Sequence, residues 1–423
     1  MSSRSWITAV SAAGFVMIAV LMIRFPAPSL EAALRGVSIW WDVLFPALLP
    51  FFVIAELMLG FGVVHFFGTL LDPMMRPLFR VPGIGGFVMA MGFASGYPVG
   101  ARMTSQLWEQ QLVNREEGER LVAFTTSSDP IFLIGAVSVG FFHDVGLAVI
   151  LAAAHYGSCM LIGLFMRFHG GKRMTPVSSS DSEGMLIMRA LRAMHRARLS
   201  DGRSFGEMLR DAVQNSLRMI FVVGGLVVFF CVVLEVLTLS GVMGGLYTAV
   251  NLVLQRAHFP PELSQAVVNG LFEVTLGVRT SAEAGAHLSM MSKAAIGAFI
   301  LSWAGLSVHA QVMSLLSRTD LRYAPFFAAR LFHGLLAAAL VFLLWNPLQG
   351  AREAFAQAVP SLAPGIHHLN GGIPAEAPAS YFPLLSALPS LYTASALIFF
   401  GLIACMVMMG AIYLGARSLF RKT

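Results

Sequence analysis

Long apolar runs alternate with a few polar segments along the chain. Residues 6–23 carry no charge, and residues 221–234 and 391–414 are also uninterrupted by charge. A bilayer crossing needs about 20 such residues. Only 12% of the 423 residues are charged and 57% are hydrophobic, whereas a soluble domain is about 25% charged. The pattern therefore predicts an all-α polytopic membrane protein and excludes a soluble globular domain.

Basic residues are distributed unequally between the polar segments. The segment 167–211 holds nine of the 28 lysines and arginines, namely Arg167, Lys172, Arg173, Arg189, Arg192, Arg196, Arg198, Arg203 and Arg210. The segment 346–390 has seven prolines and a single basic residue, Arg352. Because positive charge concentrates on the cytoplasmic side of membrane proteins, we expect 168–211 to be cytoplasmic and 346–390 to be an irregular external loop.

Eight crossings satisfy this charge asymmetry with the N-terminus inside. They are residues 6–23, 40–64, 121–142, 145–167, 213–238, 295–317, 325–345 and 391–414. Arg115 and Arg120, Arg318 and Arg322, and the tail with Arg417, Arg421 and Lys422 then all face the cytoplasm. The predicted organisation is an N-terminal membrane helix (1–28), a first repeat (29–167), the basic loop (168–211), a second repeat (212–345), the Pro-rich loop (346–390) and a C-terminal membrane helix with a basic tail (391–423).

Two further apolar segments, 83–107 and 260–290, are too broken by glycine, proline and polar residues to be ordinary spans. By the crossing count each enters and leaves on one side, so we expect two re-entrant hairpins. Each half then reads helix, short helix, broken hairpin, polar helix and apolar helix, and three crossings separate the halves. Inverted repeats with interrupted helices are typical of secondary transporters, whose substrate lies near the midplane.

The first candidate for chemistry is the segment 92–102. Pro98 removes a backbone donor, and exposed backbone groups at membrane depth must face protein or a wet cavity. The candidate binding residues here are Ser95, Gly96, Tyr97, Pro98 and Arg102. The alternative is helix packing, because Gly92, Gly96 and Gly100 form a ridge of small residues.

The second candidate is an unwound polar stretch inside a crossing, formed by Thr125, Thr126, Ser127, Ser128, Asp129 and Pro130. An acid within a spanning segment is a functional candidate. Asp129 could hold a cation, carry a proton, or simply cap the helix that begins at Pro130, since Asp before Pro is a common helix start.

The second half supplies the remaining candidates, which are Glu273, Thr275, Arg279, Ser302, Ser307, His309 and Gln311. Glu273 either belongs to a site or pairs with Arg279, and their spacing favours a break between them. His309 either titrates near neutrality or is a hydrogen-bonded packing residue. The cysteines lack metal-ligand spacing, and no zinc signature, phosphate loop or nucleophile elbow occurs. We therefore expect no enzyme activity, cofactor or metal.

At these motifs the sequence resembles a known family. The segment 92–102, followed by "EGERLVAFTTSSDPIFLIG" at 117–135 and "GLFEVTLG" at 270–277, is similar to the sporulation integral membrane proteins of the YlbJ, or SpoVV, type, over about residues 30–345. These proteins carry nucleoside-recognition Gate segments and look like relatives of concentrative nucleoside transporters. The resemblance implies two re-entrant hairpins, a site between the halves, and a multi-pass protein of the outer forespore membrane that moves dipicolinate.

The expected function is secondary transport of a small organic anion, with dipicolinate as the substrate that the resemblance implies. The alternatives are a carrier of nucleosides or other small solutes, and a non-transporting scaffold in spore assembly. Arg102 and Arg279 follow the two hairpin breaks, so we expect them to hold the substrate carboxylates. Asp129 and Glu273 would bind a coupling cation, hold a proton or neutralise an arginine. The expected partners are the substrate, the lipid bilayer, a coupling ion and, by analogy alone, further copies of the chain; no nucleic acid is expected.

Overall fold

The computed structural model describes residues 3–130, 132–171 and 186–362, and these ranges are helical with no β-strand. The first helices are α1 (Ser3–Arg24), α2 (Pro26–Ser38), α3 (Phe45–Gly60), α4 (Val63–Phe79), α5 (Ile84–Ser95), α6 (Tyr97–Glu109), α7 (Arg115–Thr125) and α8 (Leu147–Met166), with π-helical segments at Ile39–Leu44 and Phe132–Phe141. Then follow α9 (Leu186–Asp201), α10 (Phe205–Leu239), α11 (Met243–Arg256), a 3₁₀ turn (Pro261–Leu263), α12 (Ser264–Phe272), α13 (Val274–Glu283), α14 (Met290–Trp303), α15 (Gly305–Leu316), α16 (Tyr323–Trp345) and α17 (Gln349–Leu362).

Several of these helices are long and apolar enough to cross a membrane. Four qualify directly, namely Leu147–Met166, Phe205–Leu239, Met290–Leu316 and Tyr323–Trp345, and two bent pairs would raise the number to six. The predicted all-helical, multi-pass class is therefore confirmed, whereas the described residues contain fewer candidate spans than the eight crossings predicted. The expected crossing 391–414 and the basic tail lie outside the described residues.

Two of the expected crossings meet a sharp bend in the structure, the first just after its end and the second near its end. The chain turns by 106° between α1 and α2, where Pro26 opens the second helix, and by 82° between α3 and α4. The second bend is made at Gly62, whose φ of 75° is in the left-handed region that glycine adopts without steric cost. The predicted crossing 40–64 is therefore the first arm of a bent pair that continues to Phe79.

The two polar segments contain more helix than predicted. Within 168–211, α9 packs along α4, and α10 already begins at Phe205 behind a capping box between Ser204 and Glu207. The prediction of an irregular loop from residue 346 was wrong for α17. No proline lies between Pro347 and Pro360, so nothing prevents a helix there. An ion pair between Arg352 and Asp144 ties α17 to the loop before α8.

The first predicted hairpin is the antiparallel pair α5 and α6, broken at Gly96. Gly96 has φ 88° and ψ 179°, a conformation that only glycine adopts readily. Gly92 and Gly100 have a different role, because a Cβ there would come within 2.3 and 2.6 Å of the Thr125 carbonyl oxygen. Gly96 therefore breaks the helix, and Gly92 and Gly100 have the packing role considered as the alternative, because they let α7 approach closely. That this segment binds a ligand stays a prediction.

The second predicted hairpin is the pair α12 and α13, broken at Glu273, which is extended. The helices touch at two glycines, since a Cβ on Gly277 would lie 2.2 Å from the Gly270 Cα. The expected break between Glu273 and Arg279 falls instead on Glu273 itself, because the chain is helical from Val274 onward. The next crossing is also interrupted, at Ala304 and Gly305, where φ is 75° and 74°.

A buried carboxylate ties the first half of α7 to the start of α16, outside the candidate spans. Glu119 has no exposed side-chain surface and accepts hydrogen bonds from the Arg322 Nε and Nη2, both at 2.8 Å, and lies 2.6 Å from His169 Nε2. Burial alone would raise the pKa of Glu119, but the hydrogen bonds from Arg322 and His169 outweigh it and lower the pKa from 4.5 to about 2.

Replacing Glu119 should therefore destabilise the protein in a pH-dependent way. The folded-state pKa lies below the unfolded value, so the stabilisation is complete above about pH 4.5 and is lost as the pH falls towards about 2. We expect Glu119→Gln to lower the thermal melting temperature at pH 7, and the deficit to shrink below pH 4.5. The control is Glu283→Gln, whose pair with Arg279 is exposed. A deficit independent of pH would contradict this account.

Candidate functional site

The breaks in α7 and α14 leave backbone carbonyls without helical partners, and buried side chains from other segments meet them. The last four carbonyls of any helix lack an intrahelical donor. At the end of α7, the Cys159 Sγ donates to the Phe124 carbonyl at 2.8 Å, and the Tyr156 hydroxyl donates to the Ser128 carbonyl at 3.1 Å. At the end of α14, the Tyr97 hydroxyl donates to the Leu301 carbonyl at 2.8 Å.

Arg330 of α16 joins the two helix ends. Its Nη1 donates to the Thr126 carbonyl at 2.5 Å and the Ser302 carbonyl at 3.3 Å, and its Nη2 donates to the Ala123 carbonyl at 2.7 Å. The side chain is completely buried. The C-terminal ends of α7 and α14 carry partial negative charge, which stabilises the guanidinium at this position.

The charge of Arg330 has no carboxylate partner among the residues that the structure describes, and its Nε has no hydrogen-bond acceptor there. A buried charge is costly unless it is paired or fully hydrogen-bonded. The site therefore has an unbalanced positive charge and an unused donor on the same side chain. That is an arrangement suited to an anionic group.

His155 of α8 bridges the two broken helices. The Ser128 backbone N–H donates to His155 Nε2 at 3.1 Å, and the Ser127 hydroxyl lies 3.0 Å from the same nitrogen. A nitrogen that accepts from a backbone N–H carries no proton, so the proton is on Nδ1, which lies 2.8 Å from the Ser302 hydroxyl. This geometry assigns a neutral imidazole to His155.

A second histidine, His333, packs against the first in a tilted arrangement, with ring centroids 5.0 Å apart. Its Nε2 donates to the His155 carbonyl at 2.9 Å, and its Nδ1 has no partner within the described residues. We call the resulting group the break cluster. It comprises Tyr97, Thr126, Ser127, Ser128, His155, Tyr156, Ser302, Arg330 and His333.

The four predicted polar stretches are brought together around this cluster. Gly96 lies against Asp129, since a Cβ added to Gly96 would be 3.1 Å from the Asp129 Oδ2. Gly305 lies against the backbone of Glu273, since a Cβ added to Gly305 would be 3.2 Å from the Glu273 Cα. The two halves meet through the bond from Tyr97 to Leu301. Ser95 and Pro98 flank the break at Gly96, Thr125 is the last residue of α7, and Thr275 follows the break at Glu273. Ser307, His309 and Gln311 lie on α15, after the break at Ala304 and Gly305.

Two buried hydroxyls beside the breaks, Ser95 Oγ and Ser307 Oγ, lack hydrogen-bond partners within the described ranges. They add donors that a polar ligand could use. His309 instead packs between Trp303 and Phe326, and it contacts the Trp303 carbonyl at 3.1 Å and the Tyr323 hydroxyl at 2.7 Å. This geometry is that of a packing residue.

The two carboxylates cap helices. The Asp129 Oδ1 accepts from the Phe132 N–H at 2.8 Å, which is the capping geometry considered from the sequence. The Glu273 Oε2 accepts from the Leu276 N–H at 2.7 Å at the start of α13. Within the described part of the chain, no group of three metal-binding side chains occurs.

The two arginines expected to hold the anion lie elsewhere. The Nε of Arg102, on α6, lies 3.7 Å from the Glu56 Oε1 of α3. Arg279 is exposed and pairs with Glu283 at 2.7 Å. Neither contacts the break cluster, and whether either binds a substrate stays a prediction.

Sequence reasoning missed Arg330, His155, Tyr156 and His333. A signal for Arg330 was available, because it is the only formally charged residue between Tyr323 and Trp345. An ionisable residue within a spanning segment is a functional candidate by default. His155 and Tyr156 stand together in the apolar α8 and could have been flagged on the same ground.

Comparison with known proteins identifies the family of the chain. Residues 42–162, which include the first hairpin and the α7 break, match the Gate family model, described as nucleoside recognition. The chain is 43% identical over 345 residues to the sporulation integral membrane protein YlbJ of Bacillus subtilis (strain 168), covering 81% of this chain and 84% of that protein. The chain belongs to the YlbJ family. It is accordingly a multi-pass integral membrane protein of the sporulation type, and no solved structure matches it.

Proposed function

We propose that this YlbJ-family protein is a secondary carrier of a small organic anion, with the break cluster as its substrate site. The observation that supports this is Arg330, a buried cation held at two helix breaks with no carboxylate partner among the described residues. Arginine can grip a carboxylate through two parallel hydrogen bonds. Dipicolinate, which has two carboxylates, is the candidate substrate that the sporulation family suggests.

Transport in this proposal requires that the packed segments move apart. Ser127, Ser302 and Arg330 have no exposed surface, so a ligand cannot reach them in the described conformation. Broken helices supply groups that can be exposed to a cavity on either side of the membrane. We propose that the two hairpins alternate in opening this site.

The proposal includes an inverted repeat with opposite hairpins. Its support is the shared order of elements: α5 and α6 precede the broken α7, and α12 and α13 precede the broken pair α14 and α15. We expect Arg192→Cys, on the exposed face of α9, to be labelled by an impermeant thiol reagent from the cytoplasmic side only, in a cysteine-free background. Labelling from outside would contradict the proposed orientation.

A second candidate substrate is a nucleoside. It is favoured by the match of residues 42–162 to a family described as nucleoside recognition, and by the run of hydroxyls at Thr125–Ser128, which could bind ribose. A neutral substrate would leave the Arg330 charge unbalanced, and for this reason we rank it second. A scaffold without transport would have no use for polar, unwound backbone at membrane depth.

Flux measurements in proteoliposomes distinguish the three functions. We expect uptake of labelled dipicolinate to exceed that of empty liposomes and to be inhibited by other small dicarboxylates. Uptake of labelled uridine or adenosine without dipicolinate uptake would support the nucleoside carrier instead. Absence of flux for both, with protein shown to be inserted, would favour the scaffold.

A further inference from the structure

A cleft of about 870 Å³ opens between α4, the ends of the first hairpin and α9. Its walls include residues 82–84 at the start of α5 and residues 110–112 after α6. It shares no residue with the break cluster. Its volume is in the range of sites for small ligands, about 300–1,000 Å³. We call it the α4–α9 cleft.

The charged side chains that line this cleft are predominantly positive. They are Arg76, Arg189, Arg196, Arg203, Asp72 and Asp201. Four arginines against two aspartates leave a net charge of +2 with His65 neutral. A concave surface with one sign of charge focuses the field and concentrates ions of the opposite sign.

Both aspartates are already engaged by the protein. Asp72 accepts from Arg76 Nε at 2.7 Å and from the Gly83 N–H at 2.8 Å, and this fixes the start of the hairpin. Asp201 forms a bidentate pair with Arg203, at 2.9 and 2.7 Å, and the hydrogen bonds from Arg203 lower the Asp201 pKa. Neither carboxylate is in ion-pair contact with Arg189.

Arg189 is the side chain that points to a ligand. Its Nε is buried and has no hydrogen-bond acceptor among the residues described. Leaving a buried donor of a charged group unsatisfied is costly. An oxyanion in the cleft would supply the missing acceptor.

The lining favours phosphate over a single carboxylate. Its cations are all arginines, whose planar forks match phosphate oxygens, and they come from α4, α9 and the turn after α9. A phosphate presents three or more oxygens in different directions, so it can use donors on several walls. We propose that the α4–α9 cleft binds a phosphate group, supplied either by a soluble phosphate or by the headgroup of an anionic phospholipid.

The outer face of α9 makes the lipid source physically reasonable. Ile187, Leu191 and Leu199 are 61%, 41% and 67% exposed, and Arg192 lies beside them. A helix with exposed apolar residues and flanking arginines can lie in the headgroup region of a bilayer. The same helix lines the cleft, so a phospholipid lying against α9 could place its headgroup phosphate there.

Binding to the purified full-length protein tests the proposal independently of transport. One arm titrates inorganic phosphate in neutral detergent at constant ionic strength. The other arm uses native mass spectrometry to compare retained phosphatidylglycerol with phosphatidylcholine. Arg189→Gln should weaken whichever probe binds by at least about fivefold, whereas Arg318→Gln, an exposed arginine after α15 that neither lines the cleft nor belongs to α9, should change it less than twofold.

The outcomes separate the sources and can overturn the proposal. Arg189-dependent binding of inorganic phosphate supports a soluble ligand, and Arg189-dependent retention of phosphatidylglycerol alone supports a lipid. If Arg189→Gln is not monodisperse, Arg189→Lys replaces it, with intermediate affinity expected because the charge is kept and the fork is lost. Equal losses in the Arg189 and Arg318 variants, or no binding of either probe by the native protein, would overturn the site.

Discussion

Replacing Arg330 with lysine should lower substrate flux at least about tenfold while the protein stays folded and inserted. Lysine keeps the charge and can donate to some of the carbonyls of Ala123, Thr126 and Ser302 that Arg330 contacts. It lacks the planar fork that grips a carboxylate through two bonds. A tenfold loss corresponds to about 1.4 kcal/mol of binding or transition-state energy.

Arg330→Gln should have a larger effect, because it also removes the charge. Each buried carbonyl that loses its donor costs about 1–3 kcal/mol, so we expect a lower melting temperature together with the loss of flux. The measurements are dipicolinate uptake in proteoliposomes and thermal melting of the same preparations. Reading both variants together separates substrate binding from stability.

The matched controls are Arg279→Gln and Arg102→Gln, which test the interpretation drawn from the sequence. Arg279 forms an exposed pair with Glu283, and such pairs contribute about 0–1 kcal/mol. Normal flux in both control variants together with reduced flux in Arg330→Lys supports the break cluster as the site. Reduced flux in the controls and normal flux in Arg330→Lys would transfer the anion site to Arg102 and Arg279.

The hairpins could be predicted from the sequence because their causes are local. Proline and clustered glycines break a helix wherever they occur, so the segment 92–102 and the polar run 125–130 were both identified. The bend at Gly62 could not be, because the apolar pattern continues across it and one glycine within an apolar run does not specify a positive φ. Amino-acid composition misled in the opposite sense for α17, because only one of the seven prolines of segment 346–390, Pro360 in the last turn, lies within the helix.

The composition of the site could be predicted only in part, because its contacts are long-range. The Arg330 bond to the Thr126 carbonyl joins residues 204 apart, and the contact between His155 and Ser302 joins residues 147 apart. Periodicity and spacing carry no information about such pairs. The hydroxyl-rich breaks were recognisable, while the cation and the histidines that satisfy their carbonyls became evident only from the packing of α8 and α16 against them.

Gly96→Ala should abolish most of the transport and lower the melting temperature by several degrees. At φ 88° and ψ 179° the backbone of Gly96 is in a region that is essentially restricted to glycine, and forcing another residue into it costs about 1–3 kcal/mol. The new methyl group would also come within 3.1 Å of the Asp129 Oδ2. Asp129 caps the π-helical segment through the Phe132 N–H, so a shift of its carboxylate would disturb both breaks of the first half.

Gly225→Ala is the control, because Gly225 lies inside α10 with no atom within 4 Å of an added Cβ. An alanine there should leave flux unchanged and stabilise the helix by up to about 1 kcal/mol. Equal flux and equal melting temperatures for Gly96→Ala and the native protein would show that the break at Gly96 is not needed for function, and the hairpin would then have to be regarded as a packing element alone.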